Sequence, residues 1–302
     1  MKVLEIGGCC AGVPARLADL LGTQHVTFGP TGFAPARHTV QLGGARQYEI
    51  LNRVGRLPAF LAVAAPYDVL HFHFRTYLPQ FLDLPFWRAG GKQVWITFHG
   101  SDIRGKTQKA ANPLLRLADR VFVSTPDLLD DLPDAEWLPN PAPLLDPAPT
   151  PENDRPVVAH YPSNPALKGT AVIEQAVAHL QADGHEFSYQ RFTGRPHAEV
   201  LQGMREADIV IDQAGAAGMY GMVGVEAMAL GRPVLAHLTP STQARLPPGC
   251  PVIPCGTTPE TVAAALGYVL DAPPLRNLLG HRGVQYVASV HGSDAVRRRL
   301  LA

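Results

Sequence analysis

Short apolar runs alternate with segments of helical periodicity along nearly the whole chain, and this alternation constrains the fold more than any other feature of the sequence. In the first half, the apolar runs that read as strands are Val3–Ile6, His25–Phe28, Asp68–Phe72, Val94–Phe98 and Arg120–Val123. The helical patterns between them are Ala11–Leu21, Ala45–Ala64, Gln80–Trp87 and Asn112–Ala118. Strands separated by helices predict parallel β-α-β units with right-handed crossovers.

A proline-rich segment interrupts the alternation at residues 139–156, which contain seven prolines. Since proline is excluded from helix interiors and central strands, we interpret this segment as a semi-rigid linker. After it, strands are predicted at Pro156–His160, Phe187–Phe192, Asp208–Asp212, Pro233–Ala236 and Pro251–Ile253. Helices are predicted at Lys168–Leu180, His197–Arg205, Val223–Leu230, Pro259–Leu270, Leu275–Val290 and Ala295–Leu301.

The 302 residues suit two domains of ordinary size. We predict an α/β protein with two Rossmann-like domains that face each other across a cleft, at residues 1–140 and 157–290. Residues 141–156 form the linker, and residues 291–302 form a C-terminal helix able to pack back on the first domain. Ligands of such sheets bind beyond the carboxyl ends of the strands, at helix N-termini.

Charge and cysteine content exclude several classes of protein. Lys plus Arg and Asp plus Glu number 26 each, so the chain as a whole has no electrostatic attraction to nucleic acid, and we predict no such partner. The four cysteines show no C-x-x-C spacing, which disfavours a zinc site or a disulfide framework. The N-terminus leads straight into a strand, and no apolar run is long enough to span a membrane. We therefore expect a cytoplasmic protein.

A glycine-rich turn, Gly7-Gly8-Cys9-Cys10-Ala11-Gly12, follows the first strand and precedes a helix. Such a turn lets backbone amides approach a negatively charged ligand. The spacing does not give the G-x-G-x-x-G fingerprint of dinucleotide-binding proteins. Gly7 and Gly8 are therefore candidates for ligand contact, and a turn needed only for packing is the alternative.

Histidines lie at the ends of two predicted strands. His71 and His73 share one face of a strand end, a pattern that can bind a metal, but we find no acidic or histidine partner at an obvious spacing. His99 follows the next strand, where an imidazole can bind a sugar hydroxyl, and we expect Asp102 to orient its ring. The alternative for His99 is a structural hydrogen bond to a nearby carbonyl.

Two charged residues of the second half lie at predicted helix starts. Lys168 precedes a helix, where its ammonium and the free amides can converge on a phosphate, and a surface lysine is the alternative. Glu226 lies in an apolar helix that follows a Gly/Ala-rich loop. A buried acid needs a partner, and two vicinal ribose hydroxyls meet this need. The alternative is an acid that only stabilises the helix dipole.

The second half resembles the donor-binding domain of GT-B glycosyltransferases, specifically the retaining GT4-like group. The segments that carry the resemblance are Lys168-Gly169-Thr170, Ala207-Asp208-Ile209-Val210-Ile211, Tyr220-Gly221 followed by Glu226-Ala227-Met228-Ala229, and Gly231-Arg232-Pro233-Val234. The first half agrees through the Gly7–Gly12 turn, Asp68-Val69-Leu70-His71, Thr97-Phe98-His99-Gly100 and Val123-Ser124-Thr125-Pro126. The resemblance covers essentially the whole chain and implies a glycosyltransferase that uses a nucleoside-diphosphate sugar as donor.

The resemblance also implies roles by position. Lys168 would neutralise the diphosphate, Glu226 would bind the ribose hydroxyls, and His99 would contact the donor sugar across the cleft. Further donor-binding candidates are Gly7, Gly8, Ser163, Asn164, Thr193, Asp212, Gln213, Tyr220, Gly221 and Met222. Among these, the two glycines of the N-terminal turn would approach the diphosphate or the acceptor, and the amides at the start of the Glu226 helix would cap the phosphates.

Two departures from the family pattern bear on activity. Gly218 stands eight residues before Glu226, where the family usually has an acid that contacts the donor sugar. Pro162 and Ser163 stand in the region where an arginine often joins the lysine on the phosphates. The alternative to an active transferase is therefore a GT-B-like protein that binds a nucleotide sugar without turnover.

For an active enzyme the resemblance implies transfer with retention. We expect no metal, because the lysine and the helix amides can stabilise the leaving diphosphate. We predict no cofactor beyond the nucleotide-sugar donor. The acceptor stays open as a small molecule, a glycan or a lipid-linked molecule. Arg297-Arg298-Arg299 could contact anionic lipid at the inner membrane face, with a solvated helix end as the alternative. A metal-dependent hydrolase that uses His71 and His73 is a third, weaker interpretation.

Overall fold

The structure, a computed structural model, describes residues 1–8, 11–29, 35–43, 50–149, 151 and 153–302. The chain divides into two compact units, which we call unit 1 and unit 2. Unit 1 comprises Met1–Pro141 and Val296–Ala302, and unit 2 comprises Ala142–Ala295. The chain therefore passes from unit 1 to unit 2 within the proline-rich segment.

Unit 1 is built on a parallel sheet. Its strands in the described residues are β1 (Val3–Ile6), β2 (His25–Thr27), β3 (Thr39–Gln41), β4 (Val69–His73), β5 (Gln93–Phe98), β6 (Arg120–Val123) and β7 (Glu136–Trp137). They lie in the order β3-β2-β1-β4-β5-β6-β7, and neighbouring strands run parallel. Because β1 and β4 are inner strands, every residue of both is buried.

The helices of unit 1 connect these strands. They are α1 (Val13–Leu21), α2 (Ile50–Ala64), α3 (Leu84–Ala89) and α4 (Thr107–Ala110), with 3₁₀ turns at Pro79–Phe81, Pro113–Leu117 and Pro126–Asp130. Each of the 3₁₀ turns begins at a proline, whose fixed φ suits the first position of a helical turn. The main core of unit 1 buries Phe60, Phe72 and Phe98 among aliphatic side chains.

Unit 2 is also built on a parallel sheet, which is smaller than that of unit 1. Its strands are β8 (Val157–His160), β9 (Ser188–Arg191), β10 (Ile209–Gln213), β11 (Val234–Ala236) and β12 (Ile253–Pro254), in the order β12-β11-β10-β8-β9. Its helices are α5 (Thr170–Ala182), α6 (His197–Glu206), α7 (Met222–Ala229), α8 (Pro240–Arg245), α9 (Pro259–Leu270) and α10 (Pro273–Val290). The last helix, α11 (Ser293–Leu301), begins in unit 2 and ends in unit 1.

The predicted α/β fold with two parallel sheets is confirmed, and the differences are local. The helix predicted at Gln80–Trp87 is confirmed only in its second half, because a 3₁₀ turn occupies Pro79–Phe81 and α3 begins at Leu84. The helix predicted at Asn112–Ala118 is a 3₁₀ turn. Strands β3 and β7 and helices α4 and α8, each of six residues or fewer, were not predicted. Residues 45–49 of the helix predicted at Ala45–Ala64 lie outside the described residues.

Parallel strands bring their carboxyl ends to one edge of each sheet, and the loops that follow them carry the candidate residues. In unit 1 these loops follow β1, β4 and β5, and in unit 2 they follow β8 and β10. None of the helices in the described residues combines the length and the apolar character that crossing a bilayer requires.

Candidate functional site

Two loops of unit 2 touch backbone to backbone and place Lys168. The first joins β8 to α5, and the second follows β10. Gly169 has φ +69°, and a Cβ there would lie 2.6 Å from the carbonyl carbon of Ala214. A Cβ on Gly215 would clash with the carbonyl oxygen of Leu167. Because only glycine fits at both positions, this pair of turns determines where Lys168 lies relative to the end of β10.

A buried carboxylate at the end of β10 holds Lys168. The Lys168 Nζ donates to Oδ1 of Asp212 at 2.9 Å, and the backbone N–H of Gly221 donates to Oδ2 of Asp212. The Asp212 side chain is fully buried, whereas the Lys168 side chain is 22% exposed. Asp212 therefore brings an ammonium group to the N-terminal turn of α7. Since an ammonium has three N–H donors, Lys168 keeps donors for an anion beside its bond to Asp212.

Glu226 lies on α7, four residues after Met222 and thus on the same face of the helix. Its Oε1 accepts a hydrogen bond from Nε2 of His197 at 2.9 Å. Glu226 is nearly buried, and the His197 side chain is 32% exposed. His197 was not among the residues predicted from the sequence, and its position at the start of a predicted helix was the available signal.

Other predicted contact residues of unit 2 have side chains that serve the fold. Gln213 is buried, and its amide nitrogen faces the carbonyls of Met219 and His237, each at 3.0 Å. Tyr220 is buried, and its hydroxyl lies 3.1 Å from the hydroxyl of Tyr286 and 3.1 Å from Nε2 of His291. These contacts fix the loop between β10 and α7 from the inside.

The remaining candidates of unit 2 lie on exposed loops. Ser163, Asn164 and Thr193 are exposed. The carbonyl oxygen of Asn164 accepts from the backbone N–H of Lys168 at 3.0 Å, so Asn164 helps to shape the loop before α5. The amide of Gly221, which the resemblance assigns to the phosphates, donates to Asp212 instead.

Gly7 and Gly8 line a cavity of about 450 Å³ in unit 1. Gly7 passes close to β4, because a Cβ at this position would lie 2.8 Å from Cβ of His73. Asp102 also borders the cavity, as do the basic residues Arg75, Lys106 and Lys109. The cavity therefore offers backbone amides, a carboxylate and positive charge at the carboxyl ends of β1, β4 and β5.

A buried carboxylate joins the two histidines of β4. Glu5 on β1 has Oε2 3.0 Å from Nδ1 of His71 and 2.8 Å from Nε2 of His73. The sequence shows no acidic partner at an obvious spacing because Glu5 is 66 and 68 residues away in the chain, and it lies on the neighbouring strand. One possible ligand atom from each of the three residues lies within 4.8 Å of the others.

Burial alone would raise the pKa of Glu5, but the charges and hydrogen bonds of His71 and His73 outweigh it and lower this pKa to about 2. For His73, burial is the main cause that lowers the pKa to about 4, and the neighbouring His71 adds to it. At neutral pH this arrangement therefore favours an ionised Glu5 beside an uncharged His73.

His99, at the end of β5, contacts this cluster. Its Nε2 lies 2.8 Å from Nδ1 of His73, and the two rings stack. The expectation that Asp102 orients the ring is wrong, because Oδ1 of Asp102 accepts from the backbone N–H of His99 at 2.9 Å. The ring is oriented by His73 instead. Burial holds the pKa of His99 well below its ordinary value.

No protein-family model matches the chain, and no curated protein matches it at the level of sequence. Solved structures are similar to it over its whole length. Anabaena HepE in complex with UDP and glucose has 13% identity and a TM-score of 0.68, over 100% of this chain and 98% of that chain. A glycosyltransferase from Rickettsia africae has 13% identity and a TM-score of 0.67, over 99% of this chain and 96% of that chain.

An enzyme that is named for a different reaction is similar as well. UDP-GlcNAc 2-epimerase from Neisseria meningitidis, bound to UDP-GlcNAc, has 13% identity and a TM-score of 0.61 over 100% of both chains. Likeness at such identities concerns the fold, and one fold can carry several chemistries. Unit 1 and unit 2 are the two Rossmann-like parts of a GT-B fold.

Proposed function

We propose that this protein is a glycosyltransferase that moves a sugar from a nucleoside-diphosphate sugar to an acceptor. The observation that carries the proposal is the ammonium of Lys168, held at the N-terminal turn of α7 by Asp212. Positive charge and helix amides at one place suit a diphosphate. Solved proteins of the same fold carry UDP with glucose and UDP-GlcNAc, which supports a nucleotide sugar as the ligand.

Glycosyl transfer from such a donor requires the protein to stabilise the leaving nucleoside diphosphate. When the bond between the sugar and the diphosphate breaks, negative charge develops on the diphosphate oxygen. Lys168 and the amides of the first turn of α7 would stabilise this charge, and this requires no metal. Glu226 would accept hydrogen bonds from the ribose hydroxyls, and His99 of unit 1 would bind a sugar hydroxyl. We propose retention of configuration, with a small molecule, a glycan or a lipid-linked molecule as acceptor.

Glu226→Gln tests the contact with the ribose. The amide keeps the size of the side chain but replaces one acceptor oxygen by a donor, so we expect the affinity for UDP to fall by about 10-fold. Isothermal titration calorimetry measures this change. Glu199→Gln is the matched control, because Glu199 lies in the same unit with a side chain that is 55% exposed. Equal losses in both variants, or none in Glu226→Gln, would remove the assigned role of Glu226.

Gly221→Ala tests whether the position of the ammonium matters. A Cβ at residue 221 would lie 3.1 Å from Nζ of Lys168, and the end of a lysine side chain can move aside. Since Gly221 has φ −99°, alanine fits the backbone and the variant is expected to fold. We expect the affinity for UDP to fall about 10-fold in a calorimetric titration.

The control for this substitution is Gly55→Ala, where nothing lies within 4 Å of the added Cβ. It is expected to bind UDP like the original protein. If Gly221→Ala also binds UDP unchanged, the placement of Lys168 beside α7 has no part in nucleotide binding.

A second candidate function is the binding of a nucleotide sugar without transfer. One observation favours it: a Cβ on Gly218 would clash with Cγ2 of Thr239, so the Thr239 side chain occupies the space that the acid usual in the family would need at this position. A panel of nucleotide sugars and acceptors separates the two candidates. Binding without release of nucleoside diphosphate supports the second, and release of the diphosphate with formation of a glycoside supports the first.

A further inference from the structure

Glu5 is a fully buried acid of unit 1 for which the proposed function gives no role. Its side chain has no exposure to solvent, and Nδ1 of His71 and Nε2 of His73 lie within 3.1 Å of its oxygens. An ionised carboxylate has only acceptors to offer. Both of these ring nitrogens must therefore carry a hydrogen, since the lone pair of an unprotonated nitrogen would face negative charge.

The hydrogen on Nε2 of His73 determines which of the following ring nitrogens carry hydrogen, first in His73 and then in His99. An uncharged His73 with its hydrogen on Nε2 has a lone pair on Nδ1. The neighbour of that Nδ1 is Nε2 of His99 at 2.8 Å, which must be the donor of this hydrogen bond. An uncharged His99 with its hydrogen on Nε2 then has a lone pair on Nδ1. One carboxylate therefore determines the polarity of two successive imidazoles.

The last atom of this series, Nδ1 of His99, is an acceptor that receives no hydrogen bond from the described part of the chain. Nδ1 of His99 is buried and has no partner among the described residues. Oδ2 of Asp102, three residues later, is likewise buried without one. Asp102 borders the same cavity as Gly7, Gly8 and His73. A buried acceptor without a donor is costly, so a ligand that brings hydroxyl groups to this segment would satisfy it.

We propose that Glu5, acting through His73, holds His99 in the tautomer with hydrogen on Nε2, so that Nδ1 accepts a hydrogen bond from a substrate hydroxyl. The proposal rests on the proposed function for the identity of the substrate as a sugar. Glu5 and His73 are positioning residues, and the proposal involves no proton transfer. A site of this polarity selects a hydroxyl and rejects an oxyanion at the same position, because an oxyanion has no hydrogen to offer.

A divalent cation bound by Glu5, His71 and His73 would give the opposite polarity. With Nε2 of His73 on a metal, its Nδ1 would carry hydrogen and donate to Nε2 of His99. An uncharged His99 would then carry its hydrogen on Nδ1 and act as a donor there. The tautomer of His99 therefore separates the two arrangements.

The experiment is long-range ¹H–¹⁵N correlation spectroscopy on the full chain labelled with ¹⁵N-histidine, which distinguishes protonated from unprotonated ring nitrogens. His99→Gln assigns the His99 signals, and metal analysis of the same sample reports the metal content. We expect a single His99 tautomer with unprotonated Nδ1, and no stoichiometric metal. A His99 with hydrogen on Nδ1, an imidazolium, or one bound metal per chain would overturn the proposal, and the metal analysis does not depend on a folded variant.

Two variants test the part played by Glu5. In Glu5→Met the acceptor is lost, and the Nδ1 signal of His99 is expected to move away from the unprotonated position as the tautomers mix. His71→Asn is the matched control, because His71 contacts the same carboxylate but lies outside the path to His99. It is expected to leave the His99 tautomer unchanged. An unchanged tautomer in Glu5→Met, or an equal change in both variants, contradicts the proposal.

The substrate hydroxyl is tested with UDP-glucose, UDP-GlcNAc and GDP-mannose, against UDP and GDP alone. A bound nucleotide sugar that shifts the His99 Nδ1 signal, where the free nucleotide does not, supports the proposed contact. A nucleotide sugar that binds and leaves this signal in place overturns it. If none of the compounds binds, the proposed function fails. The effect of Glu5 on the His99 tautomer still stands if the spectra show hydrogen on Nε2 and not on Nδ1.

Discussion

Replacing Lys168 with methionine is expected to lower the affinity for UDP by about 10- to 100-fold, the largest effect on binding of any single substitution considered for this protein. Hydrogen bonds to charged groups contribute about 1.5–3 kcal/mol, and roughly 1.4 kcal/mol corresponds to each factor of ten. The variant also leaves Asp212 as a buried carboxylate without its cation, so we expect a lower melting temperature. Calorimetric titration with UDP and thermal unfolding measure the two effects.

A double variant separates binding from stability. Lys168→Met with Asp212→Asn removes both charges and keeps a side chain that can accept from the backbone N–H of Gly221. We expect the melting temperature to recover and the affinity for UDP to stay low. If the double variant binds UDP as tightly as the original protein, the ammonium of Lys168 has no role in nucleotide binding, and the observation that carries the proposed function is lost.

Acid is expected to destabilise the protein between about pH 6.5 and about pH 4, and His160 in unit 2 accounts for a large share. His160 is buried, with Nδ1 2.8 Å from the carbonyl oxygen of Ile211 and Nε2 2.9 Å from the hydroxyl of Thr170. The uncharged ring donates to the first and accepts from the second. Burial is the main cause that lowers the pKa of His160 from 6.5 to about 4.

The direction of this pH dependence follows from the pH at which the His160 ring is protonated in the folded and in the unfolded chain. Between pH 6.5 and 4 the unfolded chain protonates this ring and the folded chain does not, so lowering the pH favours unfolding. The stabilisation is complete above about pH 6.5 and is lost as the pH falls towards 4. At 1.36 kcal/mol for each unit of pKa, the drop from 6.5 to about 4 amounts to roughly 3 kcal/mol. His73 acts in the same direction in unit 1.

The test compares urea unfolding at about pH 7 and about pH 4.5, followed by circular dichroism. His160→Asn keeps a donor for the carbonyl of Ile211 but cannot titrate, so its free energy of unfolding is expected to fall less between the two pH values. His281→Asn, at an exposed histidine, is the control and is expected to follow the original protein. An equal loss in the original protein and in His160→Asn would show that His160 does not contribute to acid sensitivity.

Local patterns in the sequence were enough to find the parts of the fold and site that depend on near neighbours. The alternation of apolar runs and helical periods gave strands β1 and β6 with their observed bounds. The resemblance singled out Lys168, Asp212 and Gly221, and the structure brings these three together. They follow β8, end β10 and precede α7, so the topology of a parallel sheet places them at one edge.

Contacts between residues that are distant in sequence were not predicted, and neither was the burial of side chains in loops. Glu5 was missed as the partner of His71 because only the pairing of β1 with β4 reveals it. Asp102 was assigned to the ring of His99 because it is three residues away, yet it binds the backbone. Gln213 and Tyr220 were expected to contact a ligand, but their side chains face inward, and no periodicity indicates which face of a loop is covered.

In the free protein, Asp212 already holds the side chain of Lys168, the lysine that we propose for the nucleotide site. Restricting a lysine costs about 1–2 kcal/mol of conformational entropy, and here that loss accompanies folding rather than ligand capture. Under the proposed function, an arriving nucleotide would therefore meet an ammonium whose position an ion pair already restricts. Under the proposed function, the bond to Asp212 would also limit how closely the Lys168 ammonium can follow the departing diphosphate, which would favour rapid exchange of the nucleotide product.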